Sequence, residues 1–120
     1  MPENPSAAGP VVRRPRRVVV RDDSMRPTLK PGDRLKVDPS AYLTRAPAPG
    51  EIVVLVDPDE PTRWLVKRVS SVDEASRTVD VRGDATEVAR DSRRFGPVRF
   101  EAVLGRVTQC YLPGARRREF

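Results

Sequence analysis

The 120-residue sequence predicts a mainly β protein, a partly closed antiparallel β-barrel or sandwich. Valine occurs 18 times, against seven leucines and one isoleucine, and β-branched side chains fit a pleated strand better than a helix. The valines fall in short runs separated by Pro, Gly and Asp, and no stretch has an apolar helical period. These observations favour several short strands joined by tight turns.

Six stretches carry the strand pattern: 18–21, 34–38, 51–57, 63–72, 78–82 and 103–110. Segments 57–62 (DPDEPT) and 73–77 (DEASR) are predicted to turn the third strand into the fourth and the fourth into the fifth. Residues 30–33 (KPGD) are a predicted turn, because proline suits its second position and glycine its third. Residues 39–50, with three prolines, are predicted to form a loop.

The net charge of +6 is distributed over a balanced body and two basic ends. Residues 1–17 hold four arginines against one glutamate, and residues 112–120 hold three against one, which leaves +1 for residues 18–111. We therefore predict a disordered basic tail at 1–17, one β domain at 18–111 and a basic C-terminal tail at 112–120. The balanced body argues against a specific nucleic-acid surface, while the tails are open to peripheral contact with anionic lipid or phosphate.

No disulfide, metal site or other cofactor is expected. Cys110 is the only cysteine and histidine is absent, so neither an internal bridge nor a four-ligand zinc site is predicted. No apolar stretch approaches the roughly 20 residues of a membrane span, and residues 1–17 lack the apolar block of a secretion signal. We therefore expect a soluble protein without a transmembrane anchor, located in the cytoplasm.

Ser24 and Lys67 are the candidate catalytic pair. Without histidine, a Ser-His-Asp arrangement cannot be built from this chain, and because arginine stays protonated, lysine is the available base. Strand alternation places Leu65, Lys67 and Val69 on one half-buried face, where burial is able to lower a lysine pKa from about 10.4 to near 7. A structural role stays open for both, because strand lysines often extend to water and turn serines often act as caps.

A series of short motifs runs through the body of the chain. The motifs are SMRPTL (24–29), GEIVVL (50–55), VKRV (66–69), GD (83–84), DSR (91–93), FGPV (95–98) and LGRV (104–107). Their order resembles that of the type I signal peptidases, over roughly residues 18–108. The self-cleaving SOS repressors share the Asp-Ser-Met element and a downstream lysine, and the resemblance implies the barrel-like fold common to both groups.

The resemblance implies a serine endopeptidase that removes an N-terminal leader or propeptide from a partner protein. Ser24 matches the nucleophile and Lys67 the general base of a Ser/Lys dyad that works through an acyl-enzyme. The other matched positions are Met25 and Pro27 in the substrate groove, and Asp91 and Arg93 as an ion pair behind the site. Gly83 and Asp84 match the turn that brings the DSR motif under the lysine. A short soluble form of this kind resembles the maturation peptidases that trim the leader of nickel-type superoxide dismutase.

Two positions depart from the family pattern. Many signal peptidases have a serine two residues before the nucleophile, where this chain has Asp22. They also tend to have a serine two residues before the aspartate of the DSR motif, where this chain has Ala89. These departures keep a second class open, a catalytically impaired barrel that acts as a protein-binding module. A third class is a self-cleaving regulator, for which residues 7–9 (AAG) are a candidate cleavage site.

Overall fold

The structure, a computed structural model, describes residues 14–85, 90–111 and 117–120. Most of the two predicted tails, the AAG segment at 7–9 and Ala89 lie outside the described residues. The elements are β1 (Arg17–Val19), β2 (Arg34–Asp38), β3 (Ile52–Val56), β4 (Trp64–Asp73), β5 (Thr78–Arg82), α1 (Ser92–Phe95), β6 (Val98–Arg99), a 3₁₀ turn (Phe100–Ala102), β7 (Val103–Tyr111) and β8 (Arg118–Glu119).

The eight strands form one antiparallel sheet in the order β1-β2-β7-β3-β4-β5-β6, with β8 paired to β7. Over the described ranges, β1 pairs with β2 and β6 with β5, and these two end strands do not meet, so the sheet is not closed. The register shifts between β2 and β7, between β3 and β7, and between β4 and β5, and such bulges bend the strands. The predicted fold class, mainly β and partly closed, is confirmed.

The observed strands follow the predicted ones closely. Segments 34–38 and 78–82 coincide with β2 and β5, and the other four predicted strands differ by at most two residues at either end. The elements β6, β8 and α1 were not predicted, because two to four residues are too few to establish a period. β1 begins at Arg17, the last residue of the predicted N-terminal tail, and β8 lies in the predicted C-terminal tail.

Two hydrophobic cores lie on opposite faces of β3. The first core contains Val20, Met25, Leu29, Leu35, Val37, Ile52, Val54, Val107 and Cys110. The second core contains Val53, Leu55, Leu65, Val69, Val79, Val81, Val98 and Val103. Because successive side chains of a strand point to opposite faces, alternate residues of β3 enter alternate cores. Burial on both faces explains the uninterrupted apolar run of this strand.

Gly105, in β7, lies where the backbone at the end of β2 approaches closely. A Cβ there would stand 2.6 Å from the Asp38 carbonyl oxygen, 2.8 Å from Val37 Cγ1 and 3.1 Å from Pro39 Cα. Because two of these atoms belong to backbone, Gly105→Ala must displace the strand end, and we expect a loss of roughly 2 kcal/mol in the free energy of unfolding. Denaturant titration measures this loss, and a variant as stable as the wild type would contradict the close approach.

Candidate active site

Ser24 lies in a loop that is closed at its base and anchored on the first core. Val20 donates its N–H to the Asp33 carbonyl at 2.8 Å, and Gly32 donates to the Val20 carbonyl at 2.9 Å, which brings the two ends of the loop together. Met25, the neighbour of Ser24, is only 1% exposed and packs in the first core. Ser24 itself is 6% exposed. Anchoring of Met25 therefore restricts the positions open to the serine.

Lys67 lies in the middle of β4, opposite Val53 of β3. Its flanking residues Leu65 and Val69 belong to the second core, and Lys67 faces the same side, as the strand alternation predicted. The side chain is 2% exposed, so it does not extend to water in the way that most strand lysines do. Among the residues that the structure describes, its ammonium has no hydrogen-bond partner within the usual distance. Lys67 is therefore a buried amine with no hydrogen-bonded counter-ion among the described residues.

One cavity of about 250 Å³ joins the serine to the lysine. Its wall is formed by Asp22, Asp23, Ser24, Arg63, Leu65, Lys67 and Arg90. The loop after β1 contributes the first three of these, and β4 with the turn before it contributes the next three. A larger cavity of about 440 Å³, bordered by the loop around Tyr42, contains neither candidate residue. The described ranges hold no cluster of three His, Cys, Asp or Glu side chains suited to a metal ion.

The charge state of Lys67 is set by burial and by four charged neighbours. Burial is the largest influence and lowers the pKa of Lys67, because the ammonium loses its hydration. The carboxylates of Asp22, Asp91 and Asp57 favour the charged amine, while the guanidinium of Arg90 opposes it. The net result is a lysine whose pKa lies below its ordinary value of about 10.4.

Asp84 connects the serine loop to the strand that carries the lysine. Its carboxylate accepts hydrogen bonds from Thr28 Oγ1 at 2.6 Å and from Arg68 Nε and Nη2 at 2.9 and 2.8 Å. The adjacent Ala85 N–H donates to the Ser24 carbonyl at 2.9 Å. The hydrogen bonds from Arg68, together with that from Thr28, hold the pKa of Asp84 below its usual range. We call this set of contacts the Asp84 bridge; it holds Ser24 beside β4.

Asp91 is fully buried at the start of α1 and organises the segment after β5. Its carboxylate accepts hydrogen bonds from the Gly83 N–H at 2.9 Å, from the Arg93 N–H at 3.0 Å and from Arg93 Nη2 at 2.7 Å. Burial alone would raise the pKa of Asp91, but the donors outweigh burial and lower it to about 2. Asp91 and Arg93 thus form an ion pair, and Gly83 is joined to it through its backbone.

A second ion-pair network borders the cavity and was not predicted. Asp57, also fully buried, pairs with the guanidinium of Arg90, which also contacts Asp59 at 2.8 Å. Arg63 lies further from Asp57, at 4.0 Å. The sequence offered one signal, because an acid directly after a buried strand needs a cationic partner. It offered no means of choosing Arg90, which lies 33 positions away.

Asp22 departs from the family pattern and also contacts the nucleophile. Its Oδ1 accepts a hydrogen bond from the Ser24 backbone N–H at 3.0 Å. This N–H is a candidate donor for an oxyanion that forms when Ser24 attacks a carbonyl group. The other departure, Ala89, lies outside the described residues.

Met25 and Pro27, the predicted substrate-groove residues, do not border the 250 Å³ cavity. Met25 supports the serine loop from the core side. Pro27 is exposed and follows a cis peptide bond to Arg26. Their roles in substrate binding stay predictions.

Within the described part of the chain, no helix has the length and apolar character needed to cross a bilayer.

Comparison with known proteins identifies the family of the chain. A profile of the family described as "Signal peptidase, peptidase S26" matches residues 11–73, a range that contains both Ser24 and Lys67. The mitochondrial ATP-independent inner membrane protease subunit 1b of Arabidopsis thaliana is 35% identical over a 105-residue alignment that covers 70% of this chain. The chain spans 62% of the length of that relative. Because the family match extends over more than half of the 120 residues, the chain belongs to the peptidase S26 family of signal peptidases.

Proposed function

We propose that this chain is a serine endopeptidase in which Ser24 is the nucleophile and Lys67 the general base. The observation that carries the proposal is that the serine and a buried lysine border the same cavity. The depressed pKa of Lys67 supports it, because a base must be uncharged to accept a proton. Membership of a signal peptidase family supports a protein substrate.

In the proposed reaction, uncharged Lys67 takes the hydroxyl proton of Ser24 while Oγ attacks the carbonyl carbon of the scissile peptide. The tetrahedral intermediate carries its negative charge on the former carbonyl oxygen, where backbone N–H donors, the Ser24 N–H among them, would stabilise it. Protonated Lys67 then gives its proton to the leaving amine as the C–N bond breaks, which leaves an acyl-enzyme on Ser24. Lys67 next accepts a proton from the water that attacks the ester, and this proton returns to Oγ as the acyl product leaves.

Several contacts of the fold would hold the reacting groups in place. The Asp84 bridge fixes the serine loop against β4, and Met25 fixes the same loop on the first core. Such support matters because reaction rates fall steeply when a nucleophile and its base are displaced by about 1 Å. We extend the proposal to removal of an N-terminal leader or propeptide from a partner protein in the cytoplasm, the role to which the short maturation peptidases point.

Intact-mass measurement with a serine-reactive fluorophosphonate tests the assignment. The wild type is expected to gain the mass of one adduct, and Ser24→Ala and Lys67→Ala are expected to gain none. Ser70→Ala is the matched control, because Ser70 is an exposed serine of β4, and it should label like the wild type. Labelling of Ser24→Ala at the wild-type rate would reject Ser24 as the nucleophile.

A second candidate function is a protein-binding module built on an impaired site. The hydrogen bond from the Ser24 N–H to Asp22 favours it, because a carboxylate occupies the oxyanion donor. A wild type that forms no adduct and yields no cleavage product, yet binds a partner protein equally well after Ser24→Ala, would support this function over the peptidase.

The rate of cleavage should rise with pH, because only the uncharged form of Lys67 is a base. Burial lowers the pKa of Lys67, so the rise should be centred below the ordinary lysine value of about 10.4. Measurement of kcat/KM on a peptide substrate between pH 5 and 10 would record this rise in rate. A profile that is flat from pH 6 to 9 would count against Lys67 as the base.

A further inference from the structure

The Asp22 carboxylate occupies the backbone donor that the proposed reaction requires. The Ser24 N–H donates to Asp22 Oδ1 at 3.0 Å, a local turn in which an aspartate binds the N–H two residues later. An N–H that already donates to a carboxylate at this distance is not free to donate to a developing oxyanion. Hydrogen bonds to charged acceptors are stronger than those between neutral groups, so the substrate must displace this one before the N–H can donate to an oxyanion.

The same carboxylate opposes the reaction a second time, through its charge. Asp22 borders the cavity together with Ser24 and Lys67. A negative charge there favours the protonated amine and repels an oxyanion that forms at the substrate carbonyl. A substrate carbonyl in position for attack must therefore approach an anion, unless Asp22 turns away.

We propose that Asp22 forms an autoinhibitory contact, in which its carboxylate blocks the Ser24 N–H until substrate binding displaces it. This inference rests on the proposed function, since it concerns the efficiency of the same serine. It assigns to the family-atypical aspartate the role of keeping the peptidase slow in the absence of its partner.

The other charged groups around the cavity do not form an equivalent contact. Arg90 is held by Asp57 and Asp59, and Arg63 lies 4.0 Å from Asp57 and 3.9 Å from Glu60. Asp23, Asp57 and Asp91 are the other acids at or near the cavity: Asp23 pairs with Arg26, Asp57 with Arg90 and Asp91 with Arg93. Among the described residues, Asp22 is the one acid that accepts a hydrogen bond from the Ser24 N–H and also favours the protonated form of Lys67 through its negative charge.

The test compares rates of fluorophosphonate labelling at Ser24 in the wild type and in variants of Asp22. Asp22→Ala removes both the acceptor and the charge, and we expect labelling to become about 10 to 100 times faster, the equivalent of one charge-assisted hydrogen bond. Asp22→Asn keeps an acceptor for the Ser24 N–H but removes the charge. It should accelerate labelling less than Asp22→Ala does. The rise of the labelling rate with pH should also occur at lower pH, because a negative charge that favours protonated Lys67 is gone.

Asp73→Ala is the matched control. Asp73 Oδ1 accepts the Ala75 N–H at 3.0 Å in the same type of local turn, at the connection between β4 and β5. Its removal should leave labelling of Ser24 unchanged, so an acceleration confined to the Asp22 variants would support the autoinhibitory contact. Thermal melting of each variant verifies that the fold is retained.

A purely structural role for Asp22 predicts the opposite sign. If the hydrogen bond only shapes the loop, Asp22→Ala should label more slowly than the wild type or at the same rate, and either result would overturn the inference while leaving Ser24 as the nucleophile. Absence of labelling in every protein would reject the proposed function, and the autoinhibitory contact with it.

Discussion

Lys67→Met is expected to abolish cleavage while making the protein more stable. Methionine is unbranched and apolar, so it fills the space along β4 without an amine. Loss of the general base should lower kcat by roughly 100- to 10,000-fold. Kinetics on a peptide substrate, together with the fluorophosphonate assay, would measure this loss. A variant that retained wild-type activity would exclude Lys67 from the reaction.

Stability should change in the other direction, because Lys67 is 2% exposed and its pKa is lowered by burial. An unfolded lysine is protonated at pH 7, and burial opposes that protonation, so the wild type loses folding free energy at this site. The penalty grows as pH falls below the unfolded value of about 10.4, and the advantage of Lys67→Met should therefore be larger at pH 7 than at pH 10. Denaturant titrations at both pH values measure the two differences in the free energy of unfolding. A variant less stable than the wild type at pH 7 would contradict a burial penalty on the amine of Lys67.

Asp91→Ala is expected to cost about 3 kcal/mol in the free energy of unfolding. The substitution removes a buried carboxylate and leaves the buried Gly83 N–H without its acceptor, while Arg93 loses its partner. α1 also loses the side chain that caps its first turn. Chemical denaturation measures the loss, and a change below 1 kcal/mol would show that the Asp91 ion pair does not stabilise this segment.

Acid should remove the same contribution from the wild type. The folded pKa of Asp91, about 2, lies below the ordinary aspartate value of about 3.9, so its stabilisation is complete above pH 4 and is lost as pH falls toward 2. The difference between wild type and Asp91→Ala should shrink over this window. Asp80→Ala is the matched control, since Asp80 pairs with Arg82 two residues away on the surface, and its loss should cost under 1 kcal/mol at any pH.

Strand positions and the buried face of β4 were predictable because they follow from local periodicity. Valine runs and turn residues located six strands, and simple alternation placed Lys67 with Leu65 and Val69. The order of motifs then indicated the family. Each of these signals is contained in a few neighbouring residues.

The contacts that complete the site were not predictable, because they depend on pairs far apart in sequence. Thr28 meets Asp84 across 56 positions, and Asp57 meets Arg90 across 33. The Asp22 contact is local, yet an aspartate before a serine has several possible partners. Strands as short as β6 likewise depend on their neighbours, since two residues carry no period.

The Asp84 bridge has a consequence for the order of events during synthesis on the ribosome. Ser24 leaves the exit tunnel well before Asp84, and its carbonyl meets the Ala85 N–H only after residue 85 has been added. A nascent chain that ends before this point cannot hold its serine against the lysine strand. Under the proposed function, proteolytic competence arises only after Asp84 and Ala85 have been added, and shorter nascent chains pose no hazard to neighbouring proteins.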